Sequence, residues 1–189
     1  MDTLLSVLIG LGLAAACGFR VFVPLLVMSL ASRSEIGHLA LGDNFAWIGS
    51  DAALITFAVA TALEIGGYYI PWIDNLLDAA ATPIAIVAGV VVTASSVTDV
   101  SPFLKWTLAI LAGGGTSAMF QGITATVRQI SSFTTGGLGN PVVSTIEAAM
   151  SAFLSVLAIT LPILAILVVI GLLFFGAKRL LFRRPAQAT

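Results

Sequence analysis

Four charged side chains lie inside or near the ends of long apolar stretches of this sequence: Arg20, Arg128, Glu64 and Glu147. A charge at the centre of a membrane span costs about 2.5–3.5 kcal/mol on insertion scales, so each residue needs a partner or a polar cavity. In a functional interpretation, Arg20 binds an anion together with amide groups freed by a helix break near Gly18, and the glutamates carry protons or bind Na⁺. In a structural interpretation, the glutamates neutralise the arginines, or the Arg20 side chain extends to a membrane interface. Both stay open, and the first makes all four residues candidate substrate contacts.

A second candidate segment contains three consecutive glycines, Gly113, Gly114 and Gly115, followed by the hydrogen-bonding side chains of Thr116 and Gln121. Adjacent glycines expose backbone polar groups, which an apolar environment tolerates only against protein or a cavity. The segment therefore predicts either a polar cavity that contacts substrate or close helix packing through small residues.

The stretch from Thr134 to Pro141 contains three glycines and leads into an apolar segment. Asn140 is predicted to cap a helix whose first turn contains Pro141. Capping does not require the glycines, which could let the loop fold toward the helix break or bind an anion through its amides. Asn140 is therefore added to the candidate contacts.

Metal binding and catalysis have little support. Asp74 and Asp78, four residues apart, could bind a divalent cation, although solvation of a surface turn explains the same spacing. Cys17 is the only cysteine and His38 the only histidine, so a disulfide framework and a Cys/His metal site within one chain are excluded. The H-E-x-x-H and G-x-S-x-G motifs are absent. We predict no catalytic residue, and the sequence identifies no cofactor.

Composition indicates what must surround these residues. The 189 residues are 59% hydrophobic and 9% charged, with a mean hydropathy of +1.10, whereas soluble domains carry about 25% charged residues. Membrane lipids are therefore expected to cover the protein. The net charge of −1 provides no basic surface for nucleic acid, so that class of partner is excluded.

The sequence predicts an all-α integral membrane protein, a bundle of about five transmembrane helices in a single domain over residues 1–177. The stretches long and apolar enough to cross are residues 4–31, 52–69, 79–97, 104–130 and 142–175. The first, fourth and fifth are long and contain Gly or Pro, which predicts broken or kinked helices. The alternative is that one of them forms a re-entrant or full hairpin, giving six or more spans.

Basic residues predict the orientation, because cytoplasmic loops collect Lys and Arg. The tail at residues 178–189 contains Lys178, Arg179, Arg183 and Arg184. It is predicted to be cytoplasmic, and five crossings would place Arg33 and Lys105 on the same side and the N-terminus outside. Aromatic residues are predicted at the two membrane surfaces: Tyr68, Tyr69 and Trp72 outside, and Trp47 and Trp106 inside. The apolar N-terminal stretch lacks the positive region of a signal peptide, so we interpret it as a retained first span.

Residues 11–33 and 108–128 share small residues, an apolar stretch and a final arginine. The similarity suggests repeat units at 4–70 and 104–177. Three crossings would separate their starts, so the units would be inverted. Inverted repeats with broken helices are typical of secondary transporters.

Three motifs carry a resemblance to a known family: GFRVFVP at residues 18–24, YYIPWIDNLLD at 68–78 and GLGNPVVSTIE at 137–147. With them the chain resembles an uncharacterised bacterial membrane family, domain of unknown function 4126 (DUF4126), over nearly its whole length. The resemblance implies a bacterial inner-membrane protein and brings no established activity. More distant members have an acidic–basic pair after the equivalent of Glu64, where this chain has Gly67 and Tyr68, so no role of that pair is carried over.

The intramembrane charges and the repeat favour a transporter or lipid-headgroup translocase for a small anionic substrate. The alternative is a non-transporting scaffold or assembly factor, and an intramembrane enzyme is the third class. A face of small residues, Gly10, Ala14 and Gly18, allows close helix pairing within one chain or between two copies in a homo-oligomer.

Overall fold

The computed structural model describes residues 3–34 and 38–181, which form eight α-helices and no strand. The helices are α1 (Thr3–Cys17), α2 (Phe22–Ser34), α3 (Asp51–Gly67), α4 (Pro71–Ser96), α5 (Pro102–Leu108), α6 (Gly115–Thr135), α7 (Asn140–Thr160) and α8 (Pro162–Leu181). A 3₁₀ helix at Asp43–Gly49 precedes α3, and a π-helical segment at Ala109–Gly114 joins α5 to α6. The all-helical fold class is confirmed for these residues.

Within the described residues, two helical stretches are long and apolar enough to cross a membrane, Leu76–Ser96 within α4 and Asn140–Thr160. The 3₁₀ helix and α3, which meet at a 61° bend, add a third candidate if they are counted as one span. α1, α2 and the Pro162–Gly176 part of α8 are shorter apolar helices. These apolar helices are compatible with a membrane protein, whereas the predicted bundle of five crossings is not confirmed.

The bundle has two ends, which we name after one residue at each. At the Lys105 end, the Gly42 amide donates to Ser95 O at 2.9 Å, and the Lys105 ammonium lies over the Phe45 ring. At the Asp74 end, Asp74 of α4 contacts Arg128 of α6 and Asn140 of α7. α4 therefore runs antiparallel to α6, whose later part contacts Asp74, and parallel to α7, which begins at Asn140 beside Asp74.

α1 and α2 form a hairpin, because both have contacts near the Lys105 end of α4. Thr93 Oγ1 donates to Gly10 O at 3.2 Å, and Ser95 Oγ contacts the sulfur of Met28 at 3.7 Å. The predicted first span at residues 4–31 is therefore two short helices that turn back at residues 18–21, as the hairpin alternative proposed.

α7 and α8 also fold back on each other. A Cβ added to Gly12 would lie 2.7 Å from the Cβ of Ala158 and 3.6 Å from that of Ala165, which are seven positions apart and must therefore be neighbours in space. Gly176 approaches Ile123 of α6, so α8 runs toward the Asp74 end. The predicted fifth span at 142–175 is thus a hairpin that turns at Leu161, where Pro162 starts a new helix.

These hairpins correct two sequence predictions. Lys178 lies on a helix directed toward the Asp74 end, opposite Arg33 and Lys105, so the three basic residues do not share one side as the five-crossing map requires. α1 and α5 both begin at the Lys105 end, so the predicted repeat units at 4–70 and 104–177 start in the same direction rather than inverted. The basic residues from 182 onward lie outside the described residues.

The small-residue face of α1 packs inside the chain. Gly10, Ala14 and Gly18 are buried, and α1 contacts α4, α6, α7 and α8. Small side chains let these helices approach closely, which surrounds the α1–α2 turn with protein. Trp47 and Trp106 stay about half exposed at the Lys105 end. The side chain of Trp72 lies outside the described residues.

Candidate functional site

The turn between α1 and α2 is held by side chains from other helices. The amides of Val21 and Phe22 donate to the two carboxylate oxygens of Glu64 in α3, at 2.8 and 3.0 Å. Ser151 of α7 donates to Ala16 O at 2.9 Å. Glu64 therefore caps α2 and occupies the amide site that the sequence predicted for an anionic ligand.

Arg20 lies in this turn and is 1% exposed. Its Nη2 donates to Glu147 Oε2 at 3.0 Å, and to Ser144 Oγ at 2.6 Å and Ser144 O at 3.1 Å. The expectation that Arg20 turns into the bundle next to a carboxylate is confirmed, and Glu147 is the partner. Its Nε and Nη1 are buried and have no hydrogen-bond partner among the described residues.

Arg128 has the opposite character, because each of its three nitrogen atoms has a carboxylate partner. Nε donates to both oxygens of Glu147 at 3.1 Å, and Nη2 donates to Glu147 Oε2. Nη1 donates to Asp74 Oδ1 at 3.0 Å and to Asp78 Oδ1 at 3.1 Å. The two aspartates that the sequence offered as weak metal ligands thus bind a guanidinium instead.

We call Arg20, Arg128, Asp74, Asp78 and Glu147 the arginine–carboxylate network. Its two guanidinium groups face three carboxylates, so its formal charge is −1 when all are ionised. Among the described residues, no group of three or more His, Cys, Asp or Glu side chains is arranged to hold a metal ion. The network unites four elements: the α1–α2 turn, α4, α6 and α7.

Tyr68, at the end of α3, lies at the centre of this network. The guanidinium carbons of Arg20 and Arg128 both lie 3.8 Å from the centroid of its ring. Cation–π contacts of this kind stabilise desolvated cations by up to about 2 kcal/mol. The sequence placed Tyr68 at the membrane surface, but it is 5% exposed; its contact with two distant arginines left no signal in the local sequence.

Asn140 was predicted to cap α7, and the structure corrects this. It is the first residue of α7, and its amide nitrogen donates to Asp74 Oδ2 and to Ser132 Oγ, both at 3.0 Å. Asn140 therefore connects α4 to α6, because its side chain points across the bundle end rather than along its own helix.

A polar pocket of about 420 Å³ opens beside the network at the Asp74 end. Its wall combines Asp74 with hydroxyl, amide and glycine groups, and it is lined by Tyr68, Tyr69, Asp74, Ser132, Gly136, Gly137, Leu138, Asn140 and Pro141. Gly136 and Gly137 have φ angles of 63° and 89°, a conformation that glycine adopts without strain. The glycine-rich stretch thus forms the tight α6–α7 turn that shapes this pocket.

An apolar groove of about 660 Å³ lies between α3 and α4 on the other side of Tyr68. Leu63, Ile73 and Leu77 line it, and Glu64 is the only carboxylate among its described lining residues. Tyr68 lines both the groove and the polar pocket. An apolar surface and a polar pocket are therefore adjacent and separated by one side chain.

The glycine triplet lies away from this site. A Cβ on Gly113 would lie 2.7 Å from Gly89 O, and one on Gly114 would lie 3.0 Å from a methyl group of Val90, so both glycines pack against α4. No described hydrogen bond links the triplet or the side chains of Thr116 and Gln121 to the network. Close packing is therefore the interpretation that the contacts of Gly113 and Gly114 support.

Residues 7–181 match the sequence model of the family described as Domain of unknown function (DUF4126). The match covers nearly the whole chain, so the protein belongs to this family. A search of curated proteins and a search of solved structures each returned no match.

Proposed function

We propose that this protein is a multi-pass membrane protein that translocates lipid head groups, with the polar pocket and the arginine–carboxylate network as its binding site. The observation that carries the proposal is the position of Tyr68, which lines both the polar pocket and the apolar groove. A solute without a hydrocarbon chain would not make contacts with the apolar groove. A lipid fits both compartments, because its chain is apolar and its head group is polar.

The network supplies the contact that a head-group phosphate requires. Arg20 Nε and Nη1 are donors without a partner, and an unpaired buried donor costs about 1–3 kcal/mol. The α1–α2 turn, which carries Arg20, also lies inside the bundle, where the first amides of α2 donate hydrogen bonds to Glu64. A phosphate that approaches Arg20 would compete with Glu147 for the guanidinium, which couples binding to the network's arrangement.

We also propose a bacterial inner membrane as the location, with the Asp74 end and the C-terminal tail in the cytoplasm. The tail carries Lys178, Arg179, Arg183 and Arg184, whereas Arg33 and Lys105 mark the opposite end. The excess of basic residues therefore favours the Asp74 end as the cytoplasmic one.

The second candidate is a non-transporting scaffold or assembly factor. The full pairing of Arg128 favours it, because an arginine whose nitrogen atoms all have carboxylate partners holds α4, α6 and α7 together without binding a ligand. In that case the apolar groove would be a site for annular lipid only.

The test is transbilayer movement of phospholipids labelled on the acyl chain, in vesicles that contain the purified protein. We expect movement above that of protein-free vesicles. Ala80→Trp, which fills the apolar groove, should reduce the rate severalfold, whereas Ala79→Trp on the neighbouring exposed position should not. If folded wild-type protein moves no labelled lipid, the translocase proposal is wrong and the scaffold remains.

A further inference from the structure

We propose that the head group which enters the polar pocket carries an ammonium group, so that the substrate is a zwitterionic aminophospholipid rather than a purely anionic lipid. This inference rests on the translocase function and adds the substrate class. Among the described residues that line the pocket, Asp74 is the only charged one, and none is a lysine or an arginine. The pocket itself is therefore suited to a cation.

Asp74 also belongs to a larger cluster of charges, and the net charge of that cluster is negative. The arginine–carboxylate network carries a formal charge of −1, because Asp74, Asp78 and Glu147 outnumber Arg20 and Arg128. In a low-dielectric environment, the interaction energy between this excess negative charge and a bound ion is larger than in water. A zwitterionic head group, whose phosphate and ammonium charges cancel, leaves the total charge at −1, whereas a purely anionic head group would raise the negative excess to −2.

Tyr69 provides the aromatic surface that ammonium groups prefer. Its ring lines the pocket and is 49% exposed, and its hydroxyl is held by Thr145 Oγ1 at 2.7 Å. Tyr68 cannot serve in this way, because Arg20 and Arg128 already stack on its ring. Asp74 and Tyr69 therefore form the ammonium contact.

The same molecule has to satisfy Arg20. The unpartnered Nε and Nη1 of Arg20 require an acceptor, and the Arg20 guanidinium stacks on Tyr68, which lines the pocket. A phosphate ester supplies acceptor oxygens a few atoms from the ammonium. A zwitterionic head group would thus satisfy two separate features: its ammonium group would contact the pocket's Asp74, and its phosphate would accept hydrogen bonds from the unpaired donors of Arg20.

The experiment compares phosphatidylethanolamine with phosphatidylglycerol, both labelled on the acyl chain, in vesicles containing the full-length protein. We expect the ethanolamine lipid to move about fivefold to tenfold faster, the range that corresponds to one ammonium contact of about 1–1.4 kcal/mol. Asp74→Asn should abolish this preference. Asp99→Asn, at an exposed residue outside the network, should retain it.

Tyr69 gives a second test that keeps the network's charges, in case Asp74→Asn fails to fold. Tyr69→Leu should lower the preference several-fold, and Tyr69→Phe, which keeps the ring, should preserve it. Equal rates for both lipids, or faster phosphatidylglycerol, would overturn the ammonium inference and leave the translocase function standing. Movement of neither lipid would instead reject the translocase function and the inference that rests on it.

Discussion

Glu64 accepts the backbone N–H of Val21 at 2.8 Å, so a side chain of α3 caps the first turn of α2. Its other oxygen accepts the Phe22 amide at 3.0 Å. This pair of contacts fixes the turn that carries Arg20 into the bundle. The carboxylate also accounts for the break in the first apolar stretch, because it satisfies amides that a continuous helix would have bonded internally.

Replacing Glu64 should loosen this turn in a graded way. Glu64→Ala removes both acceptors and should cost about 1–2 kcal/mol of stability, near the upper range for a lost cap. Glu64→Gln keeps one oxygen and should cost less. Hydrogen exchange at the Val21 and Phe22 amides is the measurement, with faster exchange expected in the order wild type, Gln, Ala. Unchanged exchange in Glu64→Ala would show that the cap is not needed.

The two arginines should differ in what their loss costs. Arg128→Gln leaves Glu147, Asp74 and Asp78 without their main partner and should destabilise the protein by about 3–5 kcal/mol. Arg20→Gln should cost clearly less and leave the fold intact, because Glu147 keeps Arg128.

Thermal unfolding in detergent, together with the lipid assay, separates these effects. Arg20→Gln should lose lipid movement while it remains folded, and Arg20→Lys should restore only part of it, because an ammonium lacks the planar fork of a guanidinium. Equal destabilisation by Arg20→Gln and Arg128→Gln would argue against the unequal pairing in the network.

Gly113 and Gly115, the outer two glycines of the triplet, should respond differently to alanine. A Cβ on Gly113 would lie 2.7 Å from Gly89 O and closer still to Thr93 Oγ1, so Gly113→Ala must push α4 away. A Cβ on Gly115 meets no described atom within 4 Å, and alanine there should be neutral or stabilise the helix by up to about 1 kcal/mol. Midpoints of thermal unfolding for the two variants decide this, and a tolerated Gly113→Ala would contradict the close packing of α4 and the π-helical segment.

The fold-back of α8 can be tested by labelling introduced cysteines from one side of sealed vesicles. Cys17 is fully buried, so the wild-type protein should remain unlabelled. Thr134→Cys and Lys178→Cys should react from the same side, and Asp99→Cys from the other. Reaction of Lys178→Cys together with Asp99→Cys would support the five-crossing map instead.

The sequence predicted the helical class, an apolar stretch long enough to cross a membrane within α4, and an inward Arg20 from local signals alone. These features could be predicted because the composition of a segment and the length of its apolar stretch can be read from that segment alone. The hairpins were not predictable in the same way, because a glycine or proline marks a break but not its angle. That angle depends on contacts such as Glu64 with Val21, which lie far apart along the chain.

The residues of the site also divide into those that local sequence predicted and those that depend on contacts between distant parts of the chain. Arg20, Arg128 and Glu147 were expected to need partners, because charges in apolar stretches are costly. Tyr68 and the roles of Asp74 and Asn140 were missed, since each depends on the meeting of α3, α4, α6 and α7 at one end. The sequence predicted an anionic ligand at the first amides of α2, but the carboxylate of Glu64 occupies that position.

An experimental structure in nanodiscs of phosphatidylethanolamine and phosphatidylglycerol tests the central claim most directly. The account predicts a head group in the polar pocket, with its ammonium against Asp74 and Tyr69, its phosphate near Arg20 Nε, and its chain in the apolar groove beside Tyr68. A lipid-free pocket, with Arg20 Nε and Nη1 bound only to water or to other protein groups, would contradict it.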